Sequence, residues 1–192
     1  LPKGTEYYFS DLHGEHEAFI HLLRSGSGVI RDKIEALFSH SILESDRAEL
    51  AALIYYPEAM LSYKRRTCPR FAEWSELTVG RLVLVCRDVA AKYTRKRVHK
   101  AMDDNYSFLI DELLQTDDTD PDKRRYFREL IASTVKAGVS DPLITALCHL
   151  IQQLTVDHLH IIGDIFDRGP RADMILDELM KYHDVDIQWG NH

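Results

Sequence analysis

An α/β sheet domain interrupted by a large all-helical insertion is the fold class this sequence predicts. Short apolar runs that end in polar loops and lead into amphipathic helices lie at both ends of the chain. Between them, residues 29 to 155 carry apolar side chains at spacings of three and four, the period of a helix face. Only Gly80 and Gly138 interrupt the stretch from 29 to 150. The boundaries that follow are 1–28 for the first part of the sheet domain, 29–155 for the insertion and 156–192 for the second part.

The elements follow in order. Thr5 to Ser10 is short, aromatic-rich and bounded by Gly4 and Asp11, which predicts a buried strand. In "GEHEAFIHLLRSG", Phe19, Leu22 and Leu23 recur at helical spacing and Gly26 can end the helix. "IEALFSHSIL" places Ile34, Leu37, Phe38 and Ile42 on one face. Asp46 and Glu49 match an aspartate version of the capping box. "LTVGRLVLVCRDVAAKYTRKRVHKAM" reads as one long helix with a Val-rich middle. Asp120-Pro121 and Asp141-Pro142 each predict an N-cap followed by proline at the first helical position. Five or six helices result. "VDHLHIIGD" then predicts a strand, "ADMILDELMKYH" a helix with Met174, Ile175, Leu179 and Tyr182 near one face, and "VDIQW" a third strand.

Composition excludes several function classes. A net charge of −7 argues against a general nucleic-acid binder, which carries a basic footprint. No apolar run approaches the ~20 residues of a membrane helix. Cys68, Cys86 and Cys148 are widely spaced and odd in number, and they predict reduced thiols in a cytoplasmic protein. The basic clusters "YKRRTCPR" and "YTRKRVHK" read as solvated helix faces, with a phosphate or nucleotide contact as the functional alternative. His158 and His160 alternate on their strand and share a face, which suggests packing rather than metal binding.

The three strand ends offer Asp11 and His13, then Asp164, Asp167 and Arg168, then Asn191 and His192. In open α/β sheets that edge is where ligands sit. Singly, each residue has an ordinary reading: Asp11 as a helix cap, His13 as a surface histidine, the other aspartates and Asn191 as turn residues. Together, hard oxygen ligands with imidazole suit manganese, zinc or iron. A carboxylate such as Asp164 can bridge two cations roughly 3.5–4 Å apart, and such a pair lowers the pKa of water from about 15.7 toward about 7. Arg168 can hold phosphate through its guanidinium fork.

"SDLHG", "GDIFDRG" and "GNH" resemble the D-x-H, G-D-x-x-D-R-G and G-N-H motifs of the calcineurin-like metallophosphoesterases. With "LPKGTEYYFSDLHGEHEAF", "LIYYPEAML" and "IQWGNH", the chain is similar along nearly its whole length to the class III fructose-1,6-bisphosphatases, manganese-dependent enzymes of gluconeogenesis. The resemblance implies that Asp11, His13 and Asp164 bind one Mn2+, and Asp164 and Asn191 a second. It implies that Arg168 contacts phosphate, that His192 protonates the leaving oxygen, and that Asp167 orients a ligand from behind. A sugar bisphosphate is then the substrate, with room for a homo-oligomer and a nucleotide effector, and with no nucleic-acid or membrane partner. The family's further metal-binding histidines follow G-N-H, whereas this chain ends at His192, and His21, His99 and His158 lie outside such motifs. The expectation is therefore a fragment, truncated after "GNH", inactive alone and holding at most one weakly bound cation. Two other readings stand beside it. A phosphoprotein phosphatase is disfavoured by the insertion and by Trp189, where those enzymes carry arginine; a non-catalytic regulatory or assembly module is the second.

Overall fold

A computed structural model of the chain describes residues 4–116 and 119–190, without the Trp189 side chain. It is mostly helical, with one three-stranded parallel sheet in the order β1-β2-β3. Strands β1 (Glu6–Ser10), β2 (His158–Gly163) and β3 (Val185–Trp189) place the chain in the α/β class. In register, Tyr8 lies opposite His160, and His160 opposite Asp186.

Helix α1 (His16–Ser25) ends where predicted: Gly26 adopts a left-handed conformation, φ 58°, and donates to the Leu22 and Leu23 carbonyls. A 3-10 turn, Gly26–Gly28, leads to α2 (Val29–Phe38), α3 (Glu44–Tyr55), α4 (Pro57–Thr67), α5 (Phe71–Ala90), α6 (Arg95–Ala101), α7 (Ser107–Gln115), α8 (Pro121–Lys136) and α9 (Ser140–Thr155). Among the described residues α2–α9 make eight helices, more than the five or six expected. One cause is the supposed long helix, which stops at Ala90; Thr94 restarts the chain by accepting from the Arg97 N–H at 3.3 Å. Helix α10 (Ala172–Lys181) joins β2 to β3.

Two caps differ from expectation. Helix α3 begins at Glu44 behind Leu43, so Asp46 sits inside its first turn and caps nothing. Helix α9 begins at Ser140, which puts Asp141 and Pro142 inside it. Pro142 is harmless there because N–H groups in the first turn have no intrahelical acceptor. Asp120 does cap α8, accepting from the Asp122 N–H at 2.9 Å, with Pro121 at the first position.

The apolar side chains divide into two clusters. The larger fills the helical block, where α9 supplies Leu143, Ile144, Leu147 and Ile151 and α5 packs Val79, Leu82, Val83 and Cys86 against it. Burial pushes the Cys86 thiol up to about 12 and the Cys148 thiol well up; all three cysteines are free. The smaller cluster joins Phe19 and Ile20 of α1 and Ile175 and Leu179 of α10 to Leu159 and Ile161, with Phe9 edge-on to Phe19 at 5.4 Å. Helices thus cover one face of the sheet, while Tyr8, 61% exposed, and Ile162, 40% exposed, lie on the other.

Asp157, just before β2, joins block to sheet. It accepts from the Thr5 N–H at 2.7 Å and from the Tyr93 hydroxyl, with Lys92 and Arg97 each 3.7 Å away. Among the described residues no single helix is long and apolar enough to cross a membrane; α8 and α9 pass that test only jointly, across a 119° bend.

Gly80 lies within α5, where a Cβ would meet Ile131 Cδ1 at 3.9 Å, an ordinary contact. Gly80→Ala is therefore expected to stabilise the protein by about 1 kcal/mol through helix propensity. Urea unfolding of both forms checks this, and a destabilised variant would show that the α5–α8 contact has no room for a methyl group.

Candidate metal centre

All three strands run the same way, so their carboxyl ends share one edge and bring the first two motif loops and Gly190 to it. The loops are stitched by backbone. The Asp11 N–H donates to the Ile162 carbonyl at 3.1 Å, and the His13 N–H to the Asp164 carbonyl at 2.9 Å. The Asp164 N–H reaches Asp11 Oδ1 at 3.4 Å, and the Arg171 N–H reaches the Gly14 carbonyl at 3.3 Å.

Glycines permit this approach. A Cβ on Gly163 would overlap Asp11 Oδ1, one on Gly169 the His13 carbonyl oxygen, and one on Gly190 Asp164 Oδ1. The backbone is also held in unfavourable conformations at this edge. Asp11 (φ 51°), His13 (φ 46°) and Arg168 (φ 73°) are non-glycine residues in the left-handed region, joined elsewhere among the described residues only by Ser27. Such conformations cost on the order of 1–3 kcal/mol each and concentrate at functional sites.

His13, Asp164 and Asp167 each bring one ligand atom into a group whose members all lie within 4.8 Å of one another. His13 Nδ1 is buried and has no hydrogen-bond partner, and Asp167 Oδ2 is 3.9 Å from it. An orphaned imidazole nitrogen beside two carboxylates is a fitting donor set for a divalent cation. Asp11 borders this group, its carboxylate turned toward Gly163 and the Asp164 N–H. Asp167, to which the resemblance gave an orienting role, is within reach of both His13 and Asp164. Arg168 Nε donates to Asp167 Oδ2 at 3.0 Å, and its side chain is 76% exposed. Asn191 and His192 lie outside the described residues.

A cleft of roughly 520 Å³ opens beside Asp164, Asp167 and Arg168, with Gly163 and Gly190 in its wall. Phe166 and Ile187 supply its apolar lip, a role the sequence reading missed. Their signal was an apolar residue inside "DIFDR" and one at an outer strand, neither informative until the loops meet. Three carboxylates facing one arginine leave the edge negative, which favours cations there.

The family model described as Firmicute fructose-1,6-bisphosphatase matches residues 1–192. Among curated relatives, a "Fructose-1,6-bisphosphatase class 3" of Clostridium acetobutylicum is 50% identical over 192 residues. Proteins of the same name from Parabacteroides distasonis and Porphyromonas gingivalis are 47% and 45% identical. Each comparison covers 100% of this chain and 29% of the relative, so the chain spans less than a third of the length of these relatives. No solved structure matches it.

Proposed function

This chain belongs to the Firmicute fructose-1,6-bisphosphatase family, and from that premise we propose that the complete protein hydrolyses fructose 1,6-bisphosphate to fructose 6-phosphate and phosphate in gluconeogenesis, in the cytoplasm. The observation that carries the reading beyond the family name is the orphaned His13 Nδ1 set among Asp164 and Asp167 at the sheet edge. We read the sheet as that of a metallophosphoesterase, divided by an insertion over 29–155.

His13, Asp11 and Asp164 would hold one Mn2+, with Asp167 in reach of the same place, and Asp164 and Asn191 a second. Bound cations supply Lewis acidity and an activated water at neutral pH. The protein's own residues do the rest. Arg168 is tethered through Nε to Asp167, which leaves its two terminal nitrogens free to fork onto phosphate oxygens. His192 would give a proton to the departing sugar oxygen. Phe166 and Ile187 would keep the cleft mouth dry.

Arg168→Ala is the test of the phosphate assignment. The variant should raise KM for the bisphosphate and Ki for inorganic phosphate together, by about tenfold or more, as expected for a charge-assisted contact of about 1.5–3 kcal/mol. Its manganese content should not change. Phosphate inhibition equal to wild type would remove Arg168 from the site. Phosphoserine peptides as substrates separate this activity from that of a phosphoprotein phosphatase.

The 192 residues by themselves should turn over negligibly. Within them the second cation would have only Asp164 and Asn191 as protein donors, too few to hold it against water, so at most one weak cation should bind. Incubation with manganese and the bisphosphate beside the complete protein decides this, and turnover within about tenfold of that control would refute the donor count (tenfold being about 1.4 kcal/mol of barrier).

A further inference from the structure

We propose that the open face of the sheet carries a second cation site, formed by His158 Nε2, His160 Nδ1 and Asp186 Oδ2, which takes a zinc-type ion and clips β3 to β2. Backbone geometry brings these residues together. His158 and His160 are two apart on β2 and so share a face, and Asp186 is the register partner of His160 on β3. The sequence alone showed the first pair but not the third member, because Asp186 joins them only through strand register.

The donor spacing fits a tetrahedral ion. Asp186 Oδ2 is 3.0 Å from His158 Nε2 and 3.6 Å from His160 Nδ1, and the three donors lie within 4.8 Å of one another. Zinc bonds of about 2.0–2.1 Å in tetrahedral array separate neighbouring ligands by roughly 3.3 Å, between those two distances. The outward ring nitrogens face carboxylates: Asp184 is 2.9 Å from His158 Nδ1, and Glu6 is 3.8 Å from His160 Nε2. For His158 this is the usual arrangement that fixes the tautomer and orientation of a ligating imidazole; Glu6 stands beyond hydrogen-bond reach of His160 and accepts from the Tyr8 hydroxyl at 2.9 Å. The Tyr8 ring stacks on His160 at 4.4 Å and 9° between planes, holding that imidazole in place.

A network of ion pairs is the simpler alternative, and it accounts for His158, which bridges Asp184 and Asp186. It holds His160 only loosely, at 3.6 Å from Asp186 and 3.8 Å from Glu6, beyond hydrogen-bond reach, and leaves its buried Nε2 with no hydrogen-bond partner. A metal on Nδ1 would make Nε2 an N–H donor aimed at Glu6. Asp186 is 62% exposed on its side chain, which leaves an entry path and a fourth position for water. Two imidazoles and one carboxylate favour zinc over manganese, which prefers oxygen. The motif cluster, with three aspartates and one histidine, has the opposite bias. His160 and Asp164 are four residues apart along the chain, roughly 13 Å in extended backbone, so the two sites are separate.

The complete protein, stripped with chelator and then saturated with manganese, would be titrated with zinc by calorimetry. Cobalt would be added in a parallel arm as a spectroscopic probe. Asp164→Asn should retain one zinc equivalent and the intense visible cobalt absorption of a four-coordinate site. His160→Gln and Asp186→Asn should each weaken that zinc by at least about tenfold and lose the cobalt band. Zinc should also raise the thermal midpoint of wild type but not of these two variants. Should His160→Gln fail to fold by circular dichroism, Asp186→Asn decides alone, since it changes a single exposed atom. Wild-type zinc affinity in Asp186→Asn would overturn the site, as would a zinc equivalent that vanishes in Asp164→Asn but persists in His160→Gln.

Discussion

Asp164→Asn in the complete protein is expected to abolish bisphosphate hydrolysis, with a loss greater than the roughly 100-fold that marks removal of an outer partner of a metal ligand. Asp164 follows the central strand and occupies the middle of the motif edge. Its carbonyl accepts from the His13 N–H, its own N–H reaches Asp11, and its carboxylate lies against Gly190. Asparagine keeps the size and the backbone contacts and removes the charge, so the variant isolates what the charge does. In the proposed site that charge is shared between two cations, and losing it weakens both. Asp11→Asn should cost less, because Asp11 faces one cation only. Folding should be little affected, since one carboxylate fewer among Asp11, Asp164 and Asp167 relieves repulsion. Manganese stoichiometry and initial rates at saturating manganese check the pair; an Asp164→Asn enzyme turning over near the wild-type rate would end the two-cation assignment.

Gly169→Ala should be nearly as damaging without replacing any ligand. A methyl group at Gly169 would fall on the His13 carbonyl oxygen and the Gly14 backbone, and Gly14 is itself fixed at φ 71°. Neither neighbour is a flexible side-chain end, so the two loops must part. His13 moves with them, and a displacement of about 1 Å is enough to cost on the order of 100-fold in rate. The main apolar cluster lies in α2–α9, so the helical circular dichroism should survive while manganese affinity and turnover fall together. Wild-type manganese binding in Gly169→Ala would show that the loops can slide apart without disturbing the donors. Gly80→Ala serves as the contrast, an alanine that meets only a side-chain methyl.

The strands and their flanking helices were legible because each residue-level signal agreed with its neighbours. Alternation marks β2, Gly26 ends α1, and Asp120-Pro121 opens α8. The helix count was less legible for a physical reason: nothing in "AAKYTRKR" breaks a helix by composition. The first helix stops at Ala90, and Thr94 starts the next by offering its side chain to the Arg97 N–H. Asp46 and Asp141 look like caps, yet α3 starts at Glu44 and α9 at Ser140, ahead of both, so neither aspartate stands at the cap position. In the site, the motif spacing named Asp11, His13, Asp164, Asp167 and Arg168. That Asp167 and Asp164 both come near His13 depends on how loops about 150 residues apart fold against each other, which no local pattern records.

The contacts of Thr5, Gly26, Thr155 and Asp157 have a consequence for how the chain reaches this state. The Thr5 N–H meets Asp157 across 152 positions, and closing a flexible loop of that size costs about 4.5 kcal/mol of chain entropy or more. Yet the folded helical block returns its exit beside its entry: the Tyr7 hydroxyl holds the Gly26 carbonyl, and Gly26 lies against Thr155. Once the block is formed, the pairing of β1 with β2 is a short-range event, and the block acts toward the sheet as a turn does toward a hairpin. Conversely, an unravelled block returns that entropy to the chain and separates the loops bearing His13 and Asp164. The side chains of α5 and α9, remote from the motif edge, therefore govern how often His13 and Asp164 are brought together at all.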